Sequence, residues 1–289
     1  MTTQNHVTIA SVQFDARIFD FAYNLEKIEA LTVKAAREHG AELVVFPEGA
    51  LGGYCFSSRE EAERASISAD GAQLARLKAL AAREKVSLVV GTAEKAGDTL
   101  YNTVFFLEPD GAMFSYRKSH LPYLGLDRFV EAGELPCGVF HTRFGRIGMI
   151  VCYDLRFPEA ARVAALSGAR LILQPTNLPI GGESHPDFFT RSRACENRVF
   201  FVSCNRVGEE RGFKFIGRSQ IVDFNGDVLA ESGDDEGIIC QTLDLSLCED
   251  KDIIGTPGER ELYLYRHRRW DIYGGLAQKP DEKGFLPME

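Results

Sequence analysis

Apolar and polar positions alternate over residues 6–13, HVTIASVQ, with the two-residue period of a strand. The period then lengthens. Leu25, Ile28, Leu31 and Ala35 fall on one helical stripe within 23–39, and Gly40 stands where such a helix would stop. Residues 42–46, ELVVF, form a short apolar run cut off by Pro47. A second helix is expected at 70–84, with Asp70 as its cap and Leu74, Leu77 and Ala81 inward. Strand-like runs recur at 86–92, VSLVVGT, and at 99–107, TLYNTVFFL; the latter meets the turn Pro109-Asp110-Gly111 and returns over 112–117. RIGMIV at 146–151 ends at Cys152, and Pro158 suits the first turn of a helix reaching about Gly168. LILQ at 171–174, a helix near 186–198 and VFFVSC at 199–204 continue the alternation. A late hairpin is signalled by IVDF, Asn225-Gly226 and DVLAE.

Short apolar strands alternating with amphipathic helices define an α/β protein whose sheets are largely buried. The strand-rich stretches at 99–117 and 219–243 point to mixed rather than purely parallel sheets. No Pro/Gly/Ser-rich linker divides the chain, so a single domain over 1–289 is expected. The tail from 261, ELYLYRHRRWDIYGGL, carries four aromatics and a basic run with little periodicity. It either wraps over the body or a partner subunit, or is a surface tail.

Charge and cysteine content narrow the function. The 33 Lys and Arg against 42 Asp and Glu leave a net charge of −9, which argues against a broad nucleic-acid surface. No run approaches the ~20 apolar residues that span a bilayer, so no membrane association is expected. The first residues, MTTQNHVTIASVQFD, contain no basic segment followed by an apolar core. Seven scattered cysteines, an odd number, suit a reducing compartment, and a cytoplasmic location is expected. Six of the seven have nothing to mark them out. Cys195, inside a helix, and Cys204, at a strand end, are expected to be core fillers.

Several chemistries lack their motifs. There is no C-x-x-C or H-x-x-x-H for zinc, no P-loop or G-x-G-x-x-G for phosphate, and Gly217-Arg218-Ser219-Gln220-Ile221 fails as a nucleophile elbow at its last position. Three candidates remain, each at a strand end. Cys152 lies at the rim where open α/β sheets bind ligands; it is either an activated thiol or an inert buried one. Glu48, in Phe46-Pro47-Glu48-Gly49, is a general base or a salt-bridged rim carboxylate. Lys118, in Tyr116-Arg117-Lys118-Ser119-His120-Leu121-Pro122, reads on its own as part of a solvated basic surface. His120 alone reads as a hydrogen-bonded rim histidine.

Together FPEG at 46–49, YRKSHLP at 116–122 and CYDLRFPE at 152–159 resemble the signature blocks of the nitrilase superfamily of carbon–nitrogen hydrolases. Leu51-Gly52-Gly53-Tyr54, Gly91-Thr92-Ala93, Tyr101-Asn102-Thr103, Glu196-Asn197-Arg198 and Asn205-Arg206-Val207-Gly208 extend the likeness over roughly 7–270. The resemblance implies a four-layer α-β-β-α sandwich of two mixed sheets covered by helices. It also implies subunits that pair through helical faces, as a homodimer or a higher homo-oligomer, commonly with an exchanged tail. Neither a metal nor an organic cofactor is implied. The roles it implies are Glu48 as proton carrier, Cys152 as nucleophile, and Lys118 with the Tyr153 backbone N–H as donors to an oxyanion.

One departure from the family pattern stands out. Many members place a second glutamate in the loop after the lysine. Here that loop reads Tyr123-Leu124-Gly125-Leu126-Asp127-Arg128-Phe129-Val130-Glu131-Ala132-Gly133. Asp127, one methylene shorter, is the nearest candidate; the alternative is a surface pair with Arg128. Tyr54 and Asn177 are candidates for pocket walls. The CYDLRFPE form resembles the branch of Nit-type and ω-amide hydrolases, implying hydrolysis of a small linear amide. N-carbamoyl hydrolysis and a catalytically silent binding subunit of the same fold are the alternatives. The intact triad speaks against the silent form, and the missing glycine-rich turn against a nucleotide-binding module.

Overall fold

Residues 4–278 are described by a computed structural model, and its elements follow the alternation in the sequence. In chain order these are β1 (His6–Gln13), α1 (Phe21–His39), β2 (Leu43–Val45), α2 (Arg59–Arg64), α3 (Ala72–Glu84), β3 (Ser87–Ala96), β4 (Thr99–Leu107), β5 (Met113–Arg117), β6 (Gly138–Thr142) and β7 (Gly145–Met149). There follow α4 (Pro158–Leu166), β8 (Leu171–Pro175), α5 (Thr190–Asn197), β9 (Phe200–Cys204), β10 (Glu209–Glu210), β11 (Phe213–Lys214), β12 (Gln220–Val222), β13 (Val228–Glu231) and β14 (Gly237–Asp244). One compact unit runs to Glu249, and a second begins at Asp250.

The first unit holds two six-stranded sheets, ordered β14-β1-β2-β3-β4-β5 and β13-β12-β9-β8-β7-β6. Strands β1-β2-β3 and β7-β8-β9 run parallel, and the outer strands antiparallel. Both sheets are therefore mixed. Residue alternation explains how they stack. Val7, Ile9, Leu43, Val45, Val89 and Phe106 of one sheet meet Ile147, Met149, Leu171, Leu173 and Val202 of the other. Their neighbours Ala10, Val12, Val44, Leu88 and Val90 point the opposite way, onto Leu25 and Ile28 of α1 and Leu74 and Leu77 of α3. On the far side of the second sheet, Gly148 of β7 lies so close under α4 that a Cβ there would come within 3.1 Å of the Ala164 methyl. The result is the four-layer α-β-β-α arrangement. Its central strands are buried on both faces, and so read as unbroken apolar runs.

Local differences from the sequence reading have local causes. Gly71, not Asp70, is the N-cap of α3, because the Asp70 carboxylate accepts from the Ser68 hydroxyl and closes its own turn. The helix expected near 186–198 is a π-helical turn over His185–Phe189 that passes into α5. Strand β7 ends at Met149, before the apolar run does. Cys204 is fully buried, its thiol directed at the carbonyls of Val12 and Val45. Cys195 is exposed, however, so its assignment as a core filler is corrected.

The second unit contains an antiparallel hairpin of β15 (Asp252–Thr256) and β16 (Arg260–Tyr263), then short 3-10 turns at Trp270–Ile272 and Gly274–Ala277. Of the tail expected over 261–289, residues 279–289 lie outside those described. No helix among the described residues is long and apolar enough to cross a membrane.

The two cysteines yield a stability prediction. Cys204→Ala is expected to cost about 1–2 kcal/mol, since it empties buried space, and Cys195→Ala less than about 0.5 kcal/mol. Urea midpoints at unchanged slope measure both, and the reverse order would contradict the packing.

Candidate active site

Glu48 and Lys118 leave the ends of β2 and β5 in the first sheet, and Cys152 follows β7 in the second. In a stacked pair of sheets such strand ends meet along one rim. The chain is pinned on the way: the Phe46 N–H donates to the Val89 carbonyl at 2.8 Å, and the Lys118 N–H to the Asn102 carbonyl at 2.8 Å. Gly91 of β3 lets the Glu48 segment lie against the strand. A Cβ at 91 would stand 2.7 Å from the Glu48 Cα and 2.8 Å from the Pro47 oxygen.

The Glu48 and Lys118 side chains are wholly inaccessible. Lys118 Nζ donates to Glu48 Oε1 at 2.9 Å and to Asp127 Oδ2 at 2.6 Å. Asn102 Nδ2 bridges the same two carboxylates, at 2.6 Å from Glu48 Oε1 and 2.8 Å from Asp127 Oδ1. The Tyr54 hydroxyl donates to Asp127 Oδ2 at 2.7 Å. Asp127 is therefore turned inward against Lys118, not paired on the surface with Arg128. Burial raises the pKa of Glu48, and the Asp127 charge adds to this against the pull of Lys118. For Lys118 burial acts downward, but the carboxylates of Asp127 and Glu48 prevail and hold it well above its ordinary value. The Tyr54 hydroxyl, raised by burial and by the same carboxylates, stays protonated and a donor.

Cys152 sits at φ 44°, a left-handed conformation that costs a non-glycine residue roughly 1–3 kcal/mol. The 3-10 turn Cys152–Arg156 follows directly. The carbonyl of Cys152 accepts from Gln174 Nε2 at 2.9 Å. Burial, then the Glu48 charge, push the thiol up to about 12, against the Lys118 ammonium, the Thr176 hydroxyl and the Asn177 N–H. A thiol held so high needs a base to ionise it.

The other expected residues fall as follows. Tyr153 is half-buried, its ring edge-on to Phe157 at 5.2 Å, and its N–H opens the turn after Cys152, where first N–H groups have no partner within the turn. Asn177 is fully buried, with neither amide atom of its side chain hydrogen-bonded, and Glu48 Oε2 is likewise unpartnered. Sequence reasoning gave no role to Asn102, although an amide inside the apolar run TLYNTVFFL was its signal. It also gave none to Glu210. That carboxylate accepts from the Tyr54 and Cys55 N–H groups at 2.9 and 2.5 Å and is held by Arg206 at 2.9 Å.

A paired-sheet sandwich with a buried Glu–Lys–carboxylate cluster beside a cysteine turn defines a class of hydrolases, and the chain belongs to the carbon–nitrogen hydrolase family, whose model matches residues 8–251. It is 40% identical over 268 residues to a Pyrococcus abyssi protein called nitrilase, covering 90% of this chain and all of that one. Saccharomyces cerevisiae Nit3, of branch 10 of the nitrilase superfamily, superposes with a TM-score of 0.77 at 27% identity, over 86% of this chain and 93% of that one. A mutant of the amidase from Nesterenkonia sp. AN1, in a structure with the acetamide moiety of fluoroacetamide added covalently at its active-site cysteine, gives a TM-score of 0.74 at 29% identity, over 86% of this chain and 94% of that one. The chain is accordingly a hydrolase of carbon–nitrogen bonds other than peptide bonds.

The packing at Gly91 is open to test. Gly91→Ala is expected to lower stability by about 1–3 kcal/mol, because the clash is with backbone that cannot swing aside. Gly233→Ala, with open space around it, is expected to change stability by less than about 0.5 kcal/mol. Equal denaturation midpoints for the two variants would remove Gly91 from the account of how Glu48 is placed.

Proposed function

We propose that this protein is an amidase that hydrolyses a small linear amide to carboxylate and ammonia through a thioester on Cys152. The observation that carries the reading is the buried Glu48–Lys118–Asp127 cluster, whose charges act on the Cys152 thiol. Two carboxylates share one ammonium there, so the cluster favours taking up a proton. The raised Glu48 is the natural acceptor, since a base closer in pKa to the thiol transfers its proton more readily.

The sequence of steps follows from that placement. Glu48 takes the thiol proton as sulfur bonds to the amide carbon, and the carbonyl oxygen becomes an oxyanion. Lys118 Nζ and the Tyr153 N–H stabilise that charge in a site without bulk water. Collapse breaks the carbon–nitrogen bond while Glu48 protonates the nitrogen, releasing ammonia. Water then attacks the thioester and gives a proton to Glu48, which returns it to sulfur as the acid departs. Asp127 braces Lys118, and Tyr54 braces Asp127. The Asn177 side chain and Glu48 Oε2, both buried without partners, are available to an amide substrate. No disulfide joins the seven cysteines, all of them among the described residues, in keeping with a reducing, cytoplasmic setting.

Cys152→Ala is expected to abolish ammonia release in a folded protein, and near-parental release would sink the mechanism. Lys118→Ala is expected to lower kcat and kcat/KM together; a change confined to KM would deny it the oxyanion. The acid limb follows from the raised Glu48. The base must be ionised to act, so kcat/KM falls as pH drops through an apparent pKa above 4.5, the ordinary value. A limb at or below that value would remove Glu48 as the base.

Amides, rather than nitriles, are the expected substrates. In the superfamily this chain resembles, true nitrilases typically follow the cysteine with Trp-Glu, whereas Tyr153-Asp154 stands here. A nitrile develops charge on a nitrogen lying on a different line from an amide oxygen, and donors stabilise only the atom they face. One acyl group offered both as amide and as nitrile, with ammonia measured for each, tests this. A nitrile kcat/KM equal to or above the amide value would overturn the preference.

A further inference from the structure

Asp154 lies two residues beyond the Cys152 thiol, is fully buried, and takes no part in the charge cluster on Lys118. Its carboxylate nevertheless meets four polar atoms. Oδ2 accepts from the Val151 N–H at 2.9 Å and from the Tyr116 hydroxyl at 3.0 Å. Oδ1 accepts from the His120 N–H at 3.1 Å and lies 2.7 Å from His120 Nδ1. The His120 ring in turn stacks on Phe157 at 3.9 Å, just past the cysteine turn.

These partners come from two places. Val151 immediately precedes the nucleophile, at the end of the second sheet. Tyr116 and His120 flank Lys118 by two residues on either side, at the end of the first. A carboxylate serving only its own turn would need only the Val151 N–H. Asp154 ties that turn to the lysine segment instead.

We propose that Asp154 is a positioning residue for the hydrolysis, holding the left-handed Cys152 turn at a set distance from Lys118 so that thiol and ammonium address one carbonyl. This assignment rests on the nucleophile reading above. Its logic is that of donors and acceptors. All of the surrounding backbone and hydroxyl groups donate, and a carboxylate has only acceptors. Asparagine in its place would turn an NH2 toward either the Val151 N–H or the His120 N–H. One side of the tie would then face donor against donor.

The test uses the full chain and two readouts. The first is kcat and KM for a small amide; the second is the rate at which iodoacetamide alkylates the buried Cys152, resolved by peptide mapping because the exposed Cys195 reacts as well. Asp154→Asn is expected to lower kcat about 100-fold, with KM within about threefold and Cys152 alkylation about tenfold slower, at unchanged circular dichroism. Tyr116→Phe is expected to lose about threefold to tenfold in kcat, and the double variant to be no slower than Asp154→Asn, as groups acting as one unit are not additive. A folded Asp154→Asn protein with kcat and alkylation within about threefold of the parent overturns the proposal, as do losses that multiply in the double variant. Should Asp154→Asn fail to fold, Tyr116→Phe and His120→Ala decide, and parental kcat in both overturns it. A parent that releases no ammonia from any amide refutes the functional reading alone; the alkylation rates then decide on Asp154.

Discussion

An ammonium with no access to solvent, held between two carboxylates, is the constraint on which the rest of this structure depends. Removing an ion from water costs several kcal/mol even after relaxation, and only close, well-aimed partners offset it. Lys118 has them at 2.9 and 2.6 Å, and Asn102 fixes the two carboxylates relative to each other. The partners arrive on three segments: Glu48 and Tyr54 between β2 and α2, Asn102 within β4, and Asp127 in the loop after β5. Shifting any one of them would leave a buried charge short of a partner. Burial, with the Asp127 charge adding to it, also raises Glu48 against the pull of Lys118, so one arrangement both demands a precise fold and prepares the base proposed for catalysis.

The second sheet supplies a different kind of constraint. Cys152 occupies an unfavourable backbone region, and such strain persists only where the surroundings over-determine it. The Gln174 amide on the Cys152 carbonyl and the Asp154 carboxylate on the Val151 N–H supply that determination from either side. Close packing between the sheets does the remainder, because interiors at crystal-like density do not let one sheet slide over the other. Rigidity at the seam thus carries a distance between groups that no covalent path shorter than dozens of residues connects.

Much of this was legible in the chain. The alternation in HVTIASVQ, the stripe of Leu25, Ile28 and Leu31, and the Asn225-Gly226 turn located strands, a helix and a hairpin, because each depends on neighbours within a few positions. Glu48, Lys118 and Cys152 could be named as candidates from their blocks alone. Asp70 as a cap and Cys195 as a core residue were misread for an equally physical reason. A nearby serine hydroxyl decided the first, and the orientation of α5 on its sheet decided the second.

By itself, then, the sequence determined the order of strands and helices, the family blocks and the residue types at the strand ends, all of them properties written in short-range periodicity and local motif. Only the tertiary structure decided that Asp127 faces Lys118 rather than Arg128, that Asn102 joins two carboxylates, and that Asp154 spans the two sheets. Those partners are separated along the chain by 9 residues for Lys118 and Asp127, 54 for Glu48 and Asn102, and 38 for Tyr116 and Asp154. Protonation went undecided for the same reason. The thiol pushed up to about 12 and the raised Glu48 owe their shifts to burial and to charges brought in by other segments, and neither exists until the sheets have closed over the site.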